Sequence, residues 1–357
     1  MAPYYLIVTV TFLAGVFDLV KSRHVRLVVY AGFCIMLTFF AGLRSTGVDN
    51  DSVNYEEALQ LAANISWFDL ITGSYDETME RGYLLLNKVI YVLGGGIRSV
   101  FVLMAVATGL INYTLIYKKS PYPFVSLLLY VCFFFFYRDF TQIRFALSAG
   151  LGMWCLFFLA EKNYLKAAIL ILIGASFHSA ILVVPVLALL HLLIKNFWFY
   201  FILPFFGALG ALFNPVMFLF SLGGLPPTLA QYVELDEMGK GGYVISIVAQ
   251  VFMAGMMIFR TRLLKHYPRR LIDYLFIALS FGSFINLLFI SFAIMQRLAL
   301  LLFGAIVFGM PYVCRVLETS KSDKMSAMFL RVVFMLYVLY YGLKMINPAL
   351  MRPYSIL

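Results

Sequence analysis

Apolar runs of about twenty residues recur from one end of this chain to the other, separated mostly by short charged connectors. A helix needs roughly 20 such residues to cross the hydrocarbon core of a bilayer. By that rule spans fall near 3–20, 26–43, 99–117, 121–137, 143–160, 164–177, 180–195, 197–213, 243–260, 271–292, 297–314 and 326–346. The pattern predicts an all-α, polytopic membrane helix bundle of about twelve transmembrane helices. The run at 164–177 is short enough to be one arm of a helix pair that does not fully cross.

Composition agrees. Of 357 residues, 63% are hydrophobic and only 12% charged, with a mean hydropathy of +0.93. A soluble domain carries about 25% charged residues, so these few could not cover a surface facing water, and the solvent must be lipid. The net charge of +10 does not point to nucleic acid, because lysines and arginines sit in short clusters between apolar runs, as charges that fix membrane orientation do. Cys34, Cys132, Cys155 and Cys314 all lie inside apolar runs, the pattern of small core residues rather than of a disulfide framework or a zinc site. The first apolar stretch lacks a basic leader and a small-residue cleavage site, which predicts a retained span.

Orientation follows from the basic clusters. Lys21, Arg23 and Arg26, then Lys118 and Lys119, Lys162 and Lys166, Lys195, the run Arg260 to Arg270, and Arg315 to Lys324 mark one set of loops. The alternate set holds only Arg44, Arg81, Lys88, Arg98, Arg138, Arg144, Lys240 and Arg297. The positive-inside rule places the first set in the cytoplasm and both termini outside. The outward loops also collect acids: Asp49, Asp51, Glu56, Glu57, Asp69, Asp76, Glu77, Glu80, Asp139, Glu234, Asp236 and Glu237. Two of these loops, near 44–98 and 214–242, are much the longest, and the first should contain an amphipathic helix around Val53–Leu70, with Leu59, Ala62, Ala63 and Phe68 at the interface, and an interfacial or re-entrant stretch at Tyr83–Leu93. No repeat or linker divides the chain, so 1–357 reads as one domain.

The outward polar residues are the candidates for chemistry. In GLRSTGVDNDSVNY, Arg44 is either an interface anchor beside helix-capping acids or a phosphate ligand with Asp49 as its orienting partner or a base; a cation held by Asp49 and Asp51 is a weak alternative, and no metal site is predicted. Glu80 and Arg81 are either a local ion pair or part of a site. Arg138, Asp139, Gln142 and Arg144 share one tight turn, where snorkelling competes with a diphosphate cradle at a helix N-terminus. His178, between Ser176 and Ser179, is the only outward histidine and is either structural or a general base. Arg297 would join Arg44, Arg138 and Arg144 at one membrane depth, an arrangement suited to a polyanionic lipid headgroup.

Several of these residues also stand in a familiar order. Gly42-Leu43-Arg44, Gly47-Val48-Asp49 and Tyr55, Glu80-Arg81-Gly82-Tyr83, Gln142-Ile143-Arg144 with Ala146, Phe177-His178-Ser179 and the late Arg297 resemble the EpsG-type polysaccharide polymerases, relatives of the Wzy O-antigen polymerases, over nearly the whole chain. Asn50-Asp51 crowds the position after Asp49, so either acid can be the matching one. The resemblance implies a glycosyltransferase of the bacterial inner membrane that needs no cofactor. It would join oligosaccharide repeat units carried on undecaprenyl diphosphate at the outer face, with a chain-length regulator as a candidate partner. His178, Asp49 and Glu80 would then be catalytic, and Arg44, Tyr55, Arg81, Arg138, Gln142, Arg144 and Arg297 would hold diphosphate or sugar. Another glycosyltransferase or ligase using the same lipid donor shares these arginines. A flippase or transporter predicts ionisable residues at mid-span or broken helices in related halves, whereas the charges here cluster at span ends.

Overall fold

The computed structural model describes residues 1–75, 79–224, 233, 242–319, 323–348 and 351–356. Asp76, Glu77, Glu234, Asp236, Glu237, Lys240 and Lys321, with most of the expected loop 214–242, lie outside the described residues. Those described are overwhelmingly helical, and the only extended pairings among them are two isolated bridges, Arg44 with Ile356 and Asp49 with Met351.

Among the described residues, seven helices are long and apolar enough to cross a membrane: Ala2–Leu19, Arg23–Gly42, Ile97–Lys119, Ile143–Ala160, Arg269–Leu288, Gln296–Glu318 and Lys324–Met345. The total is up to nine if each of two bent pairs is one span: Phe197–Ala211 with Pro215–Ser221, bent by 58°, and Val244–Ile258 with Arg260–His266, bent by 77°. Pro123–Phe135, Tyr164–Phe177 and Ser179–Leu193 are apolar but shorter. The molecule is therefore the all-α, multi-pass membrane protein that the apolar runs predict. The expected twelve spans include these three short helices, whose length alone does not qualify them.

By their contacts the residues form two compact units that alternate along the chain. One is Met1–Leu151 with Leu172–Ser179 and Leu317–Leu357; the other is Gly152–Ile171 with Ala180–Val316.

In the first unit, α1 (Ala2–Ala14) runs on through a short 3-10 segment to Leu19. There the buried carboxylate of Asp18 accepts from the backbone N–H of Phe124 (3.2 Å) and Val125 (2.9 Å). These are orphan donors at the start of α7 (Pro123–Tyr130), whose first residue is a proline that has none to offer. Helix α7 continues as a π-helical turn to Phe135 and ends beside the other end of α1, where Phe136 and Phe140 pack edge-on against Tyr4. Helix α2 (Arg23–Gly42) meets α6 (Ile97–Lys119) through Gly42 and Gly109: a Cβ at Gly42 would lie 3.1 Å from the Val102 Cα, and one at Gly109 would lie 2.8 Å from the Thr38 hydroxyl. Helix α18 (Lys324–Met345) packs on α1 and α7, with Gly342 admitting the Cys132 sulfur.

The first outward loop folds on this scaffold as three helices: α3 (Ser52–Asn64), α4 (Trp67–Thr72) and α5 (Arg81–Val92). The single amphipathic helix expected over Val53–Leu70 is broken at Ile65–Ser66, because Ser66 accepts from the Asp69 N–H (3.0 Å) and starts a new helix. Leu59 and Ala62 are buried in the α3–α5 contact rather than resting in lipid, while Phe68 is left 74% exposed. Lys88 closes α3 by donating to the carbonyls of Ala63 (2.9 Å) and Ile65 (2.8 Å), where the helix dipole favours a cation. Tyr83 to Leu93, read as an interfacial stretch, buries Tyr83, Leu84 and Ile90 and exposes Val89, Tyr91, Val92 and Leu93, and Gly94 (φ +79°) ends it.

The second unit centres on α15 (Arg269–Leu288), most of which is buried. Helix α11 (Phe197–Gly207) lies against it backbone to backbone, since a Cβ at Gly207 or Gly210 would collide with the carbonyls of Phe284 or Leu288. Asn286 donates to Gly242 O (2.8 Å) and Ser246 Oγ (2.9 Å), and Gln296 donates to Asn286 O (2.7 Å). Such internal satisfaction is what a polar side chain needs at membrane depth.

Candidate functional site

Arg44 leaves the end of α2 and is completely buried. Its Nε donates to Asp49 Oδ2 (2.8 Å), its Nη1 to Ala41 O (2.6 Å), and its plane lies over the Phe101 ring at 4.2 Å. Its Nη2 is buried with no hydrogen-bond partner among the described residues. Asp49 is equally buried, and its Oδ1 accepts from the N–H groups of Asp51 (3.0 Å) and Ser52 (2.9 Å), capping α3. The tight path from Arg44 to Asp49 needs Gly47, at φ +85°. The last described residues then bind this loop from outside. Arg352 N donates to Val48 O (2.8 Å), Arg352 Nη1 to Gly47 O (2.8 Å) and Ser45 N to Ser355 O (2.9 Å). The Tyr354 ring stacks on Phe40 at 4.3 Å.

From Phe101 the cluster continues through aromatic rings. Tyr55 packs edge-on against Phe101 and Tyr83, and the guanidinium of Arg144 lies 5.5 Å from the Tyr83 ring. Burial pushes the Tyr83 hydroxyl up to about 12, against the pull of Arg144 and Arg44, and burial raises Tyr55 too. Arg144, in the first turn of α8 (Ile143–Ala160), pairs with Glu80 at the start of α5. Both side chains keep about a fifth of their surface exposed, 19% and 20%, so this ion pair, unlike that of Arg44, is within reach of an incoming anion. The second oxygen of Glu80 accepts from the Ser179 N–H at 3.1 Å.

That bond anchors the turn carrying His178, which follows α9 (Tyr164–Phe177). The His178 carbonyl accepts from Ser148 Oγ (2.9 Å) and its ring stands edge-on to Phe145. The approach depends on Gly82, where a Cβ would lie 2.6 Å from the Ser176 carbonyl.

The structure thus brings together Arg44, Asp49, Tyr55, Glu80, Arg144 and His178 of the predicted site residues, within one unit. The others are placed differently. Arg81 is exposed and its guanidinium lies against Gly73, so Glu80 pairs with Arg144 rather than with its neighbour. Arg138 is buried under the rings of Phe134 (3.9 Å) and Phe145 (5.5 Å), so it and Arg144 face different neighbours. Beside it, Asp139 accepts from the Tyr130 hydroxyl at 2.5 Å, and that hydroxyl accepts from Asn112 at 2.7 Å. Burial lifts the Asp139 carboxyl to about 7 and lowers Arg138 to about 10. Gln142 precedes α8 and bonds through its carbonyl to the Ala146 N–H (2.8 Å). Arg297 belongs to the other unit, in the first turn of the helix Gln296–Leu302. Sequence reasoning missed Tyr83, Phe101 and Phe145 as walls and the hold of Arg352 and Tyr354 on the loop. Only the polar and aromatic residues after the last apolar run hinted at the last two.

One unit of this polytopic helical membrane protein thus holds a half-open arginine–glutamate pair, a histidine and a buried guanidinium in an aromatic-walled cluster. The model of the EpsG family matches residues 27–356, and the chain belongs to that family, which makes it a membrane protein of polysaccharide polymerase type. No curated protein and no solved structure matches it.

Proposed function

We propose that the protein polymerises oligosaccharide repeat units carried on undecaprenyl diphosphate, at the outer face of the bacterial inner membrane. The observation that carries the reading is the pair Arg144–Glu80 held against the His178 turn. It sets a guanidinium fork for a diphosphate beside a candidate base for a sugar hydroxyl. Arg144 releases Glu80 to bind the diphosphate of the donor, and its charge grows in value as the leaving group becomes more negative. A hydroxyl of the acceptor repeat attacks the anomeric carbon. The new glycosidic C–O bond forms as the bond to the lipid diphosphate breaks, and the hydroxyl proton passes to His178. Asp49 serves as the orienting partner of Arg44, since three N–H groups already occupy its oxygens. Arg44 contributes a fixed positive charge from below. Glu80, once freed by substrate, is placed to hold the histidine turn or a sugar hydroxyl. Purified protein in proteoliposomes, given lipid-linked repeat units, should yield a ladder of longer lipid-linked products. Single-repeat transfer to a different acceptor, with no ladder, would instead identify a ligase.

A further inference from the structure

A cavity of about 760 Å³ runs between α2 and α6. Arg23 and Lys118 line one end, and Gly42 and Val102 line the other, so it follows nearly the full length of α2, about 28 Å at 1.5 Å per residue. At the Gly42 end the two helix backbones touch, which closes the groove. Two residues further along the chain is Arg44. On the groove floor the Thr38 hydroxyl donates to Cys34 O and the Tyr30 hydroxyl to Tyr113 O, while the Tyr117 hydroxyl, toward the Arg23 end, is buried with no hydrogen-bond partner among the described residues. What remains on the walls is hydrocarbon and aromatic surface such as Ile35, Val106 and Leu110, half open to the side.

We propose that this groove holds the polyprenyl chain of the lipid-linked donor, with the diphosphate at its Gly42 end; this rests on the function proposed above. Length narrows the choice of occupant. The acyl chain of an ordinary phospholipid reaches through one leaflet, about 15 Å of the roughly 30 Å hydrocarbon core. A continuous groove about twice that long is filled end to end either by two acyl chains, one from each leaflet, or by one chain that passes through both. Its continuity with the arginine cluster favours the single long chain, and the phosphatidylglycerol competition below separates the two. Cations stand at both ends, Arg23 and Lys118 at one and the arginine cluster beyond the other, so the direction rests on the proposed function, whose Arg144–Glu80 pair and His178 turn lie past the Gly42 end. A tail lying in the groove delivers its anionic end next to the residues that lead into the Arg44, Tyr83 and Arg144 cluster, where burying a diphosphate is compensated by cations.

The test uses the full-length protein in phosphatidylglycerol-containing proteoliposomes. Its probe is an undecaprenyl diphosphate bearing a photoreactive diazirine in the chain, with no sugar, so that no turnover is needed. Label should appear on peptides from 23–42 and 97–119, and unlabelled undecaprenyl diphosphate should displace it while added phosphatidylglycerol does not. Ala31→Trp and Val106→Trp, which fill the groove from facing walls, should each cut that competed label about tenfold, the loss expected when about two methylenes' worth of contact is removed. Both positions line the open groove rather than the packed core, and thermal unfolding in detergent should match the unmodified protein. Label displaced equally by phosphatidylglycerol, label on other helices, or label unchanged in both variants would overturn the proposal. If repeats polymerise while the label falls elsewhere, the groove assignment fails alone. If the competed label is found and no ladder forms, the groove stands and the polymerase reading fails.

Discussion

Arg44 and Arg144 look alike in the sequence, each at the outer end of an apolar run, yet they are held by different physics. Arg44 is part of an ion pair with no exposed surface, and removing one partner of such a pair leaves a buried charge at a cost of about 3–5 kcal/mol. Arg44→Ala should therefore lower the thermal stability and membrane abundance of the protein along with its activity, as immunoblotting and unfolding in detergent would show. Arg144→Ala should lose polymer while the protein stays folded, and Arg144→Lys should recover only part of the activity, because an ammonium lacks the bidentate fork. For His178, alanine and glutamine should both lose about 10²–10⁴-fold in turnover while donor binding is kept. Glutamine keeps a hydrogen bond but cannot take a proton, so normal polymerisation by His178→Gln would remove the histidine as base. Asp139 gives a pH signature of its own. Its carboxyl titrates near 7 in the folded protein, raised by burial from 3.8, so between about pH 4 and 7 the folded state holds a proton that the unfolded state has lost. By linkage its contribution to stability falls as pH rises through that window and is level above it. Asp139→Asn keeps an acceptor for the Tyr130 hydroxyl, so the mutant should gain on the unmodified protein from pH 4 to 7, a difference read from paired melting curves. Equal pH slopes would mean that Asp139 is charged in the fold.

At the scale of elements, the spans were legible because each is a run of apolar residues bounded by charges, and lipid leaves the backbone little choice but helix. The motifs Glu80 to Tyr83, Arg144 and Phe177 to Ser179 were legible as candidates for the same reason: polar residues at the ends of apolar runs stand out. Their partners were not. That Glu80 pairs with Arg144 rather than Arg81 depends on the angle at which α5 meets the α9 turn through Gly82, and no periodicity records a crossing angle. Equally invisible was the strap formed by residues 351–356. Tyr354 donates to Phe40 O (3.1 Å) while stacked on its ring, and Arg352 holds both carbonyls at the Gly47 turn. The strap fixes the loop that seats Arg44, so Tyr354→Ala and Arg352→Ala should loosen that loop without touching the Arg144–Glu80 pair. Limited proteolysis within 45–52 should speed up, and activity should fall less than in Arg144→Ala. Unchanged cleavage in both variants would show that the loop holds itself.

At the scale of the whole molecule, the strap also constrains topology. The Tyr4 hydroxyl donates to Arg352 O at 2.9 Å, so the start of α1 and the last described residues lie at the same membrane face as Arg44. A chain that begins and ends on one face crosses an even number of times, whereas the seven long helices, or nine with each bent pair counted once, are odd. The short helix Pro123–Phe135 supplies a crossing. Its start is bound by Asp18 at one end of α1 and its continuation packs on Tyr4 at the other, so it covers the same distance as a helix that qualifies by length. The remaining short pair, Tyr164–Phe177 and Ser179–Leu193, meets at His178, which is tied to Ser148 and sits with Glu80 at the Arg44 face. The sequence expectation is that α8 leads away from that face and Tyr164–Phe177 returns to it, so we predict that the pair crosses as a hairpin. We therefore predict twelve crossings, with Lys118, Lys162, Lys195 and the basic run 260–270 on the cytoplasmic side by the positive-inside rule. Alkaline phosphatase fused after Leu357 should then be active, and fusions placed at 118–121, 161–164 and 261–270 should be inactive while fluorescent fusions there glow. An active phosphatase at 161–164 would mean that the hairpin at His178 does not span, and would leave ten crossings with the termini still together. An inactive phosphatase after Leu357 would reverse the faces, and with them the side of the membrane on which the arginines can meet their substrate.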